Sequence, residues 1–145
     1  MPSHYLFITA TTTLILLHPI ANKQHTRYQS ITGFYRREAG FRIIREMRSK
    51  SAEDGQIALD MMKASAPGYY DMILMDIMMP NMNGLEVTRQ IRKLSRPDSK
   101  TIPIVAMTAN AFAEEQRQSV ASGMNAHLSK PLSMEKLQET LKEFL

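Results

Sequence analysis

The sequence predicts an α/β fold: a doubly wound sheet of five parallel strands with helices on both faces. Three observations predict it. Past residue 51, short apolar runs alternate with amphipathic helical stretches, as in successive strand–helix crossovers. Two of those runs, 72–75 and 102–107, are almost continuously apolar, as strands covered on both faces are. The runs also give way abruptly to single polar residues, Asp76, Thr108 and Lys130. In open α/β sheets, chemistry collects at such C-terminal strand tips.

The first third of the chain is the least regular. Residues 5–17 are apolar and Thr-rich, and the β-branched set Ile8, Thr9, Thr11, Thr12, Thr13 and Ile15 favours a buried strand. The segment is too short to span a bilayer and lacks the basic start of a signal peptide. Within it, residues 14–17 read as the first strand. Residues 22–38 read as the first helix, with Tyr28, Ile31 and Tyr35 on one face and Gly40 ending it. Residues 41–44 read as the second strand, and 45–50 as extra length.

From there the elements follow plainly. Ser51, Ala52, Glu53 and Asp54 precede a helical pattern of Ile57, Ala58, Met61 and Met62, with acids at its start to suit the dipole. Pro67 and Gly68 stop it. The strand 70–76 leads through a tight loop with Pro80 into a helix over 85–94, where Leu85, Thr88, Ile91 and Leu94 share a face. An exposed loop, 96–100, precedes the strand 102–107. A polar helix over 111–122 closes at Gly123. A short strand at 126–129 precedes a final amphipathic helix capped by Ser133, with Met134, Leu137 and Leu141 on one side. No repeat and no linker divides the chain, so 1–145 reads as one domain.

At 145 residues the chain suffices for one real core. Its 43% hydrophobic and 22% charged content is that of an ordinary globular protein. The absence of Cys excludes disulfides and thiolate metal sites. Twelve Met and no Trp are unusual. Met residues concentrated over 72–82 read as adaptable core filler, with a flexible docking surface as the second reading. Residues 1–50 carry eight Lys/Arg against two Glu, whereas 51–145 carry ten against twelve acids. The early basic residues Arg36, Arg37, Arg42, Arg45 and Arg48 lie scattered among apolar ones, which reads as a solvated face rather than a nucleic-acid arm.

The segments MDIMMPNMNG, IPIVAMTANA and MNAHLSKP set Asp76, Thr108 and Lys130 at spacings of 32 and 22 residues. In order, spacing and strand context this resembles the receiver domain of two-component response regulators, most closely receivers attached to hybrid sensor histidine kinases. The resemblance covers 51–145 well and fades over 1–50. It implies the flavodoxin-like receiver fold, with an atypical first third. It implies a phosphoacceptor in a phosphorelay: Asp76 takes a phosphoryl group from a phosphohistidine donor, a histidine kinase or phosphotransfer protein, as a carboxylate nucleophile. Thr108 and Lys130 sense the phosphate, His127 stands at the switch position usually held by Tyr or Phe, and Met78 and Asn110 tune the acyl-phosphate lifetime. A homodimer through the 111–141 face, a cytoplasmic location, and no nucleic-acid or membrane role for this chain are also implied. The chain then is no enzyme beyond promoting its own phosphorylation and dephosphorylation; it fits a segment of a hybrid kinase and leaves no room for an output domain.

One departure stands out. The family holds Mg²⁺ with an acidic pair after the first strand, and this sequence has no Asp before Asp54 and only Glu38 and Glu46 among earlier acids. Asp76 and the Met78 carbonyl alone make a weak Mg²⁺ site, since a hard cation wants several oxygen ligands. Glu53 or Asp54 would help only through a rearranged second strand. The alternative function is therefore a receiver-fold interaction module with impaired metal binding and phosphorylation. An Asp-nucleophile phosphatase is disfavoured, because Ile77, Met78 and Met79 follow Asp76 without a second acid two residues on.

Overall fold

The computed structural model describes residues 4–8, 15–16, 48–109 and 112–144. In chain order the elements are β1 (His4–Ile8), β2 (Ile15–Leu16), β3 (Arg48–Ser51), α1 (Gly55–Ala64), β4 (Met72–Asp76), α2 (Gly84–Lys93), a 3₁₀ turn (Pro97–Ser99), β5 (Ile104–Thr108), α3 (Ala113–Ser122), β6 (Ala126–Ser129) and α4 (Met134–Phe144). Strands β1, β4, β5 and β6 lie side by side and parallel. Parallel β3 and antiparallel β2 also pair with β1.

The core follows from the period-2 alternation of β4 and β5, all of whose residues are buried. On one face Ile73, Met75, Ile104 and Ala106 pack with Ala58, Leu59 and Met62 of α1, Val87 and Ile91 of α2, and Met124. On the other, Met72, Leu74, Val105, Met107 and Leu128 pack with Leu137 and Leu141 of α4. Helices on both faces leave neither surface of these central strands to water, so the apolar runs need no alternation.

The expected parallel, doubly wound sheet is present, with corrections in its first third. The first strand is His4–Ile8, and within the 14–17 stretch the described residues Ile15–Leu16 form the antiparallel β2. The parallel strand preceding α1 is Arg48–Ser51, inside the stretch read as extra length. Its sequence RSKS has no apolar run to announce it; it joins the sheet by parallel backbone pairing with β1. The helix at 22–38 and strand at 41–44 lie outside the described residues. In α1 the expected Ala58 and Met62 are buried and Met61 packs partly buried against the core, but Ile57 is exposed and Leu59 and Gly55 are buried with the stripe instead.

Asp54 caps α1 by accepting from the Ile57 amide at 2.9 Å, and its other oxygen accepts from the Asn81 side chain at 3.1 Å. The Ile57 amide bond, helped by Asn81 and opposed by slight burial, holds its pKa below the usual carboxylate value. A lowered folded-state pKa contributes stability above the unfolded pKa and loses it as pH falls through the folded one. Asp54→Ala is expected to lose about 1 kcal/mol in urea unfolding at pH 7, with the deficit shrinking below about pH 4. A deficit unchanged at acid pH would remove the charge from the cap.

Asp71, just before β4, has the opposite sign. Burial pushes its carboxyl up to about 6, and among the described residues its Oδ2 finds no hydrogen-bond partner. A raised carboxyl pKa makes ionisation oppose folding, so its cost grows as pH rises from the unfolded to the folded value. Asp71→Asn is expected to raise the melting temperature at pH 7 more than at pH 5. Equal shifts at both pH values would refute this.

Candidate functional site

The site forms where β4, β5 and β6 end. Register pairs Asp76 with Met107 and Thr108 with Ser129, so Asp76, Thr108 and Lys130 emerge from neighbouring strand tips. Asp76 is 1% exposed. Its Oδ2 receives the Lys130 ammonium in an ion pair, and its Oδ1 accepts from the Met78 amide at 3.0 Å. The Lys130 side chain is 31% exposed, so the pair sits at the floor of an open rim. The Lys130 backbone amide donates to the Thr108 carbonyl at 2.7 Å, and the Lys130–Pro131 peptide is cis.

The loop after β4 is pinned at several points. The Ile77 amide donates to Met107 O at 3.1 Å, and the Gly84 amide to Ile77 O at 3.0 Å. Asn83 caps α2 by accepting from the Glu86 amide at 2.9 Å, and Asn81, at φ 62°, reaches Asp54. A Cβ on Gly84 would lie 2.1 Å from the Asp76 carbonyl oxygen. The backbone at the end of β4 and the start of α2 thus touch, and only a residue without a side chain permits it.

Thr108 is buried, and its hydroxyl donates to Glu115 in the first turn of α3. Sequence reading missed Glu115; the available signal was a carboxylate at the start of the helix that follows Thr108. His127 is exposed on β6. The Met78 side chain is 70% exposed at the rim. Asn110 lies outside the described residues.

Among the described residues, few ligands suited to Mg²⁺ stand near Asp76. Both Asp76 oxygens already have partners, an ammonium and an amide. Among the described residues no group of three or more His, Cys, Asp or Glu gathers. Asp54 is engaged by its own helix and by Asn81, and Glu53 is exposed. β1 ends at Ile8, followed in sequence by Thr9, Ala10 and Thr11, none a carboxylate. What the described residues bring together is a buried Asp76 carboxylate with the Lys130 ammonium against it.

Comparison with known proteins agrees with this geometry. The family model described as response regulator receiver domain matches residues 37–142. The sensor histidine kinase RcsC of Salmonella typhi is 42% identical over 92 residues, 63% of this chain and 9% of RcsC. The aerobic respiration control sensor protein ArcB of Escherichia coli is 41% identical over 93 residues, 64% of this chain and 11% of ArcB. The chain thus spans about a tenth of the curated relatives it matches. Among solved structures, the receiver domain of the Pseudomonas aeruginosa sensor histidine kinase PA1611, with magnesium coordinated in its active-site cleft, is similar with a TM-score of 0.55 and 33% identity, covering 64% of this chain and 72% of that one. A co-crystal of the Saccharomyces cerevisiae histidine phosphotransfer protein Ypd1 with the receiver domain of Ssk1 contains a similar chain: TM-score 0.55, 28% identity, 64% and 68% covered.

Proposed function

The chain belongs to the response regulator receiver domain family, and from that premise we propose that residues 1–145 form a single receiver domain accepting a phosphoryl group on Asp76. The observation that carries the proposal is the Asp76–Lys130 ion pair at the tip of β4 with Thr108 on the adjacent strand end. An Asp76 carboxylate oxygen attacks phosphorus of a phosphohistidine, the P–N bond breaks, and the imidazole leaves with the electron pair and takes a proton from water. Lys130 neutralises the transferred oxygens, and the Thr108 hydroxyl binds one of them. Met78 and Asn110, two residues beyond Asp76 and Thr108, flank the path of hydrolytic water, and His127 is the switch residue. The donor is a histidine kinase or a phosphotransfer protein, encountered in the cytoplasm. No helix among the described residues is long and apolar enough to cross a membrane.

The test is intact mass after acetyl phosphate treatment with excess Mg²⁺. A base-labile adduct of about 80 Da, one phosphoryl group, is expected on the native chain and on no Asp76→Asn chain. An adduct that survives the substitution places the acceptor elsewhere.

The missing acidic pair supports a second reading, an interaction module whose 111–141 face binds a partner or a second copy with little dependence on phosphodonor. Mg²⁺ titration followed by amide shifts near Asp76 is expected to saturate only above roughly 1 mM, because few charged oxygens are present. Tighter saturation would mean that other ligands are recruited. Phosphodonor-dependent binding at the 111–141 face would dismiss the interaction module.

A further inference from the structure

We infer that Glu115 is a positioning residue for Thr108: its carboxylate holds the Thr108 hydroxyl in the unphosphorylated chain and competes for it with a phosphoryl group on Asp76. The inference rests on the acceptor reading of Asp76. Its core is a proton count. A threonine hydroxyl has one hydrogen to donate. In the structure that hydrogen goes to Glu115 Oε2. A carboxylate oxygen and a phosphoryl oxygen are both acceptors, so Thr108 serves one or the other. Lys130, with three ammonium hydrogens, faces no such choice.

Geometry sharpens the competition. Two oxygens that each hydrogen-bond the same hydroxyl lie within about 5.5 Å of each other. A phosphoryl group on Asp76 that engages Thr108 therefore sits beside the Glu115 carboxylate at a half-buried site, where like charges repel strongly. Glu114, in the same turn, is turned to other work. It pairs with Arg117 at 2.9 Å and accepts from Gln118 at 3.1 Å, well exposed. The two neighbours carry equal charge near the same helix start, yet only Glu115 reaches the strand tip.

Phosphorylation then has to release Glu115, and by reciprocity the factor by which Glu115 disfavours the phosphoryl state is the factor by which phosphate loosens the Thr108–Glu115 tether. The start of α3 is freed when phosphate arrives.

Four variants decide it: Glu115→Ala, Glu115→Gln, Glu114→Ala and Thr108→Val. Without phosphodonor, amides 115–117 are expected to exchange about tenfold faster in Glu115→Ala and in Thr108→Val, and no faster in the pair combined than in either alone. Glu114→Ala is expected to leave these amides within about twofold of native, and Glu115→Gln, which keeps an acceptor oxygen, to fall between. With acetyl phosphate and excess Mg²⁺, the adduct on Glu115→Ala is expected to accumulate about five- to tenfold relative to native, and that on Glu114→Ala to match native. An adduct on the native chain that Glu115→Ala leaves unchanged overturns the competition and keeps the acceptor reading. Exchange that adds fully in the combined variant overturns the tether. No adduct on any of these proteins overturns both the competition and the acceptor reading.

Discussion

Gly84→Ala is expected to destabilise the protein by about 3 kcal/mol in urea unfolding, with a fall in melting temperature on the order of 10 °C. The added methyl meets the Asp76 carbonyl oxygen at 2.1 Å and Met75 Cγ at 2.9 Å. The first is backbone of a central strand, so it cannot turn aside as a side-chain end would. Any relief moves the Asp76 tip or the start of α2, so phosphoryl acceptance is expected to fall with stability. Gly68 supplies the control: it has φ +74° and nothing within 4 Å of an added Cβ. Gly68→Asn, which tolerates that conformation, is expected to change stability by less than about 0.5 kcal/mol. Equal effects at the two positions would show that backbone freedom, and not contact with β4, makes Gly84 necessary.

Lys130→Met is expected to lose about 2 kcal/mol at pH 7. Removing one partner of a buried pair leaves the other charge uncompensated, and the partial exposure of Lys130 moderates the loss. Asp76→Asn in the Lys130→Met background is expected to recover at least half of it, because the amide needs no counter-ion and can still accept from the Met78 amide. Urea unfolding of the four proteins of this cycle gives the coupling. A double variant as unstable as the sum of the singles would mean that Lys130 acts through packing of its stem and not through Asp76.

How much of this was legible in the sequence depends on where apolar burial lies. β4 and β5 announced themselves because covered strands are written in continuous apolar residues, and their polar ends marked the strand tips within a residue or two. Gly123 correctly ended α3, and β6 fell where expected. β3 was missed because Arg48–Ser51 is held by backbone pairing and carries no hydrophobic signature. Sequence reading places the first strand at 14–17 because 5–17 is apolar and Thr-rich from end to end, and periodicity cannot choose which part of such a run pairs with β4. Glu115 and the Asp54–Asn81 bond escaped for another reason. Both join residues through space, across a loop and across 27 positions, and no local pattern encodes such a meeting.

The methionines near Asp76 differ in depth, with Met79 and Met82 partly buried. Met62, Met72, Met75 and Met107 are fully buried, while Met78 is 70% exposed two residues past Asp76. Thioether oxidation follows access, so peroxide reaches Met78 long before it reaches the core sulfurs. The first sulfoxide dipole on this part of the molecule arrives beside Asp76 with the fold untouched, and the added oxygen becomes a one-atom polar label next to the Asp76–Lys130 pair.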